Sequence, residues 1–152
     1  AGYQMLGNRI IDADGIEGAP GETAGLGYLD IEPRLGGGKT LRAAEGAASG
    51  GLGRVRGYEM HMGRSEGADA ARPFLELGEQ DGGAMSADGR VMGCYLHGLF
   101  AADEFRSAFL ARLGASGPSG LAYEPSVETA LDDLAAAMET HLDIDALIAL
   151  AR

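Results

Sequence analysis

An α/β protein, with strands and loops filling the first two thirds of the chain and helices at its C-terminal end, is predicted by three features of the sequence. Glycine supplies 26 of the 152 residues, more than twice the usual share of about 7%. It lacks the triplet period of collagen, so turns are frequent and long helices are costly wherever the glycines cluster. Between those glycines the apolar residues come in short runs, as in Gly25-Leu-Gly-Tyr-Leu-Asp-Ile31 and Gly51-Leu-Gly-Arg-Val-Arg-Gly-Tyr-Glu-Met60. Beyond residue 103 the apolar spacing changes to that of a helix.

In chain order, Tyr28–Ile31 reads as a strand and Lys39-Thr40 as the entry to another. The run 51–60 reads as a strand in which Tyr58, Met60 and Met62 alternate as buried residues do, leaving Glu59 and His61 together on the opposite face. Phe74–Leu77 and Arg90–Leu96 flank Asp88-Gly89, a strong hairpin turn signal, so a hairpin ending in a buried strand is expected there. Asp103 is placed to cap a helix over 103–113 with Phe105, Phe109, Leu110 and Leu113 on one face, and Gly114 stands where a C-terminal glycine belongs. After a Gly/Ser/Pro break at 114–120, Ser126 is placed to cap a second helix carrying Val127, Leu131, Leu134, Met138 and Leu142. Asp143 starts a last one through Ile144, Leu147 and Ile148. No repeat and no long polar linker divides the chain, so residues 1–152 read as part of one domain.

Charge and composition exclude several function classes. With 12 Lys+Arg against 23 Asp+Glu the formal net charge is −11, which repels phosphate backbones and anionic lipid, so neither nucleic acid nor membrane is expected as a partner. No stretch approaches the roughly 20 apolar residues of a membrane span, and no basic-then-apolar leader opens the chain, so a cytoplasmic location is expected. Cys94 is the single cysteine; an internal disulfide and a multi-cysteine zinc site are excluded, and its position inside a strand reads as packing rather than as a nucleophile. Gly36-Gly-Gly-Lys-Thr40 ends like a phosphate-binding loop, yet Pro33 stands where that motif needs its first glycine, and Gly46 and Gly50 compromise the helix that should follow. In Met60-His61-Met62 adjacent residues point to opposite faces of a strand, so no metal is expected.

The chain opens abruptly on Ala1-Gly-Tyr-Gln-Met-Leu-Gly7, as if a core element had been severed. This resembles the strand-to-helix elbow Gly-x-Cys-x-Gly-x-Gln of triad-type (class I) glutamine amidotransferases, with Ala1-Gly2-Tyr3-Gln4 matching x-Gly-x-Gln and the cysteine expected immediately before residue 1. Gly57-Tyr-Glu-Met-His-Met-Gly63, Asp88-Gly-Arg-Val-Met-Gly-Cys-Tyr-Leu-His-Gly-Leu-Phe100 and the Leu131-Asp-Asp-Leu-Ala helix make the likeness specific. Together they resemble the C-terminal amidotransferase domain of the cobyric acid synthases, over essentially the whole chain. The resemblance implies part of a flavodoxin-like class I amidotransferase domain, with L-glutamine as substrate.

A glutamine amide is a poor electrophile, so its hydrolysis needs a thiolate, a base that returns protons and donors for the oxyanion. The resemblance makes His97 that base, at the end of a strand before Gly98. It carries oxyanion stabilisation over to the backbone of Ala1, and substrate holding to Gln4, with Glu59 and His61 in the pocket wall. Related amidotransferases place an acid two residues after the histidine, where this chain has Leu99; the orienting group must therefore be another, which the sequence does not name. ATP and Mg²⁺ are implied only for a synthetase domain outside these residues, which would amidate corrin carboxylates. A corrin a,c-diamide synthase, a glutaminase that amidates a cell-wall precursor, and a non-catalytic scaffold remain the alternatives.

Overall fold

The computed structural model describes residues 2–117 and 120–151. In chain order the elements are α1 (Gly2–Met5), β1 (Arg9–Asp12), β2 (Gly21–Ala24), β3 (Glu32–Arg34), β4 (Thr40–Ala48), β5 (Arg54–His61) and β6 (Arg64–Glu66). Then come β7 (Leu75–Glu76), β8 (Ala84–Met85), β9 (Met92–Gly93), β10 (Leu96–His97), α2 (Asp103–Arg112), α3 (Tyr123–His141) and α4 (Ile144–Leu150). The α/β class, strands and loops first and helices last, is as the sequence predicts.

Two four-stranded sheets carry the body of the chain, ordered β2-β1-β3-β6 and β10-β5-β4-β7, with β8 and β9 paired apart from them. The long pair β4 and β5 runs antiparallel in unbroken register from Thr40 opposite His61 to Ala47 opposite Arg54. The stretch that ends like a phosphate-binding loop therefore enters a strand at Thr40, and no helix follows it.

Several local expectations are corrected. Tyr28–Ile31 is not a strand, although Leu29 and Ile31 are completely buried. Its backbone bonds instead to the turn after α1, with the amides of Tyr28 and Leu29 donating to the Leu6 carbonyl and the Ile31 carbonyl accepting from Asn8. Burial without a ladder is possible here because those turns satisfy the polar backbone. The Asp88-Gly89 hairpin forms, but its arms are the two-residue strands β8 and β9. Phe74–Leu77 lies elsewhere: Leu75 and Glu76 pair with Ala48 and Ala47 of β4. A tight turn fixes only the residues beside it.

Two apolar clusters form the core. One joins Ala44, Ala48, Leu52, Val55, Phe74, Leu75, Leu77, Leu96 and Phe105; the other joins Tyr3, Leu29, Ile31, Ala84 and Tyr95. Helix α2 closes the first cluster with Phe105, whereas Leu113 at its end is exposed. Ala102, not Asp103, occupies the cap position. The Asp103 carboxylate instead accepts from the Tyr123 amide and from Arg106, which holds it below the usual carboxylate range and ties the start of α3 to α2. Helix α3 begins at Tyr123, three residues before the expected Ser126, because Pro125 falls in the first turn where its missing N–H costs nothing. The Ser126 hydroxyl donates to the Tyr123 carbonyl. Asp143 caps α4 as expected, accepting from the Ala146 amide. No residue of α3 or α4 is buried, and their apolar stripe, Leu131, Leu134 and Met138 with Leu147 and Ile148, faces outward. Among the described residues no helix is long and apolar enough to cross a membrane.

Candidate active site

Five segments that are distant in sequence converge on one cavity of about 500 Å³, within the size range of small-molecule sites. Its lining comes from Gly2, Tyr3 and Gln4 of α1, from Met60, His61 and Met62 at the end of β5, from Cys94 through His97, and from the loop residues Glu17 and Lys39. Gln4, His61 and His97 thus line the same cavity. Ala1 lies outside the described residues.

The alternation reads Tyr58 as buried, and the structure reverses this. Glu59 is only 1% exposed, whereas Tyr58 is 45% exposed. The polar face is buried because partners for it arrive from three directions. Arg42, directly opposite Glu59 in the β4/β5 register, donates its Nε to one carboxylate oxygen at 2.7 Å. The other oxygen lies 2.8 Å from His61 Nε2. A buried carboxylate with both oxygens paired avoids the cost of an isolated charge.

His61 is held on three sides. Its Nδ1 stands 3.1 Å from the Gly63 carbonyl, and its ring stacks on Tyr95 with centroids 4.0 Å apart. That carbonyl can only accept, which assigns a proton to Nδ1. Tyr95 in turn is anchored by its hydroxyl to Ser65 of β6 at 2.7 Å, and burial pushes that phenol above its ordinary range. The two sheets are thereby joined under the cavity. Replacing Glu59 by glutamine removes the charge from both contacts and is expected to destabilise the fold by about 1.5 to 3 kcal/mol, read from denaturant unfolding. An unchanged midpoint would show that the Arg42–Glu59–His61 chain contributes nothing.

Gln4 is buried in α1 and donates its Nε2 to the Met62 carbonyl at 3.2 Å, so it ties the α1 wall of the cavity to the β5 wall. His97 is exposed at the end of β10. Gly98, which follows it, has φ +83°, a left-handed turn that glycine adopts freely. The chain therefore swings away at once, leaving the imidazole at the strand end. Cys94 also lines the cavity and is partly buried. Burial pushes its thiol upward, the opposite of what a nucleophilic thiolate needs. Among the described residues no group of three or more His, Cys, Asp or Glu side chains could hold a metal ion.

Arg42, Tyr58 and Tyr95 escape the sequence reading as site residues. Arg42 meets Glu59 only through a register that residue types alone do not fix, and Tyr58 reads as core because it alternates with two methionines. Tyr95 had a usable signal: it precedes His97 by two residues in a strand-like run.

Residues 1–105 match the CobB/CobQ-like glutamine amidotransferase domain. The chain is 53% identical over 151 residues to a cobyric acid synthase of Cereibacter sphaeroides, 54% over 151 residues to one of Rhodobacter capsulatus, and 56% over 151 residues to one of Paracoccus denitrificans. Each alignment covers 99% of this chain and 31% of the relative, so the chain spans about a third of the length of these proteins. On this evidence the chain belongs to the CobB/CobQ-like glutamine amidotransferase family.

Proposed function

We propose that this chain is the glutaminase portion of a cobyric acid synthase, which releases ammonia from L-glutamine for the amidation of corrin side-chain carboxylates. The observation that carries the reading is the convergence of His97, Gln4 and His61 on one cavity beside the start of α1. The cysteine expected immediately before Ala1 would then stand at the α1 end of that cavity, across from His97.

In this reaction the thiolate attacks the side-chain amide carbon of glutamine, forming a tetrahedral oxyanion that the backbone N–H of Ala1 helps to stabilise. His97 in its protonated form gives a proton to the amide nitrogen, and ammonia leaves as the thioester forms. A water molecule, deprotonated by the same imidazole, then attacks the thioester and yields glutamate and the free thiol. Glu59 keeps His61 fixed in the wall, and Gln4 fixes the wall to α1. A synthetase part outside these residues would bind the ATP and Mg²⁺ that activate the corrin carboxylates, and ammonia would be what the two parts exchange. The same reading places the protein in the cytoplasm, where the lone Cys94 stays reduced.

The test compares three proteins: these 152 residues alone, the full-length protein, and the full-length protein with the residue before Ala1 changed to serine. Glutamate release from glutamine is expected only from the second. Turnover by the 152 residues alone would overturn the assignment, because the thiol would then have to be Cys94.

A further inference from the structure

We propose that Tyr58 is the positioning residue for His97, its ring face taking the place that an acidic side chain occupies in triad-type relatives. This inference rests on His97 being the base of the proposed reaction.

The residue that would be expected to orient His97 is absent: two positions beyond it stands Leu99. Glu45 and Glu124 line a pocket with His97 yet make no bond to its ring, Glu124 pairing with Arg56 instead, and Glu59 cannot serve. It faces the opposite side of β5 from Tyr58, and its two oxygens are taken by Arg42 and His61. Among the described residues nothing hydrogen-bonds to either nitrogen of the His97 ring. What holds the ring is Tyr58, directly opposite it in the antiparallel β5/β10 pair. The two rings are stacked, centroids 5.0 Å apart and planes within 8° of parallel.

Three features of the backbone make that stack a built one. Residues opposite each other in an antiparallel pair share a face, so the register alone puts the two rings together. Gly57, next to Tyr58, carries no Cβ where one would lie 1.9 Å from the His97 carbonyl oxygen, so only glycine lets β10 approach this closely. Gly98 then turns the chain away and leaves the imidazole with no other ring beside it. A parallel ring face restricts rotation of the imidazole plane while leaving both nitrogens free of hydrogen bonds among the described residues. The face of a phenol also attracts the ring more strongly once it is cationic, which is the form that protonates the departing amide nitrogen. Tyr58 touches neither substrate nor the reacting atoms, so it acts through His97.

The test uses the full-length protein with Tyr58→Phe, Tyr58→Leu and His97→Asn, measuring kcat and KM for glutamine, amidation driven by added ammonia, and thermal unfolding. Tyr58→Phe keeps the ring face and is expected to keep kcat. Tyr58→Leu is expected to lose about ten- to a hundredfold in kcat, as a misplaced catalytic group does, with KM within about twofold. Ammonia-driven amidation and the unfolding midpoint should be unchanged, since Tyr58 is 45% exposed. Equal kcat for the leucine and phenylalanine variants would overturn the proposal, whether both are active or both impaired. So would a loss in the leucine variant matched by a fall in ammonia-driven activity, because that pattern marks a structural role. His97→Asn separates the two readings: if it is inactive while Tyr58→Leu is fully active, only the positioning role fails, and if it is fully active the base assignment fails as well.

Discussion

Full-length protein carrying His97→Asn is expected to hydrolyse glutamine about 10²- to 10⁴-fold more slowly than wild type, the range over which a positioned acid–base group contributes. Asparagine matches the imidazole in size and hydrogen-bonding capacity but cannot take up and return a proton. The loss should therefore fall on kcat, with KM nearly unchanged, because the parts of the cavity lining held by Gln4 and by His61, with Glu59 behind it, do not depend on the imidazole. Folding should be unaffected, since the ring is exposed and its one aromatic contact is the exposed Tyr58. Amidation driven by added ammonia should survive, because it bypasses the glutaminase step. A kcat close to wild type would remove His97 from the reaction, and a parallel loss of ammonia-driven amidation would assign it to the fold.

The largest effect on stability is expected from Phe105→Ala. Phe105 is completely buried, with edge contacts to Phe74 and Phe100 at 6.1 and 5.3 Å and a stacked contact with Phe109 at 5.5 Å. It is the side chain through which α2 closes the cluster shared by β4, β5, β7 and β10. Truncation leaves a cavity lined by rings that cannot collapse into it, at a cost of about 3 to 5 kcal/mol. Denaturant unfolding measures it directly. Leu113→Ala on the same helix should shift stability by no more than about 0.5 kcal/mol, because Leu113 is 69% exposed. Similar losses at both positions would mean that α2 is not anchored through Phe105.

Helix α2 was legible in the sequence because Phe105 and Phe109 recur at helical spacing, and α4 because Asp143 caps it. The strand β5 was legible too, but its inner and outer faces were not. Alternation identifies a strand without saying which side is buried, and the usual assumption that the apolar side goes inward fails where the inward side builds a polar cavity. Glu59 and His61 are buried because Arg42, Gly63 and Tyr95 supply partners, and those partners come from pairing and turns that only the folded chain brings together. The same limit applies to Leu75–Glu76, whose partner is β4 and not its neighbour across Asp88-Gly89. The convergence of Gln4, His61 and His97 followed from motif resemblance; composition and periodicity gave no hint of it. The group that fixes His97 was hidden in the register of β5 with β10.

The unbroken ladder between β4 and β5 makes the site sensitive to register. A slip of the pairing by one position would turn every side chain of β5 over. Tyr58 would be driven into the polar wall, and Glu59 would be thrust toward water, away from Arg42. Such a slip should abolish glutamine hydrolysis even though no residue of the cavity has been altered.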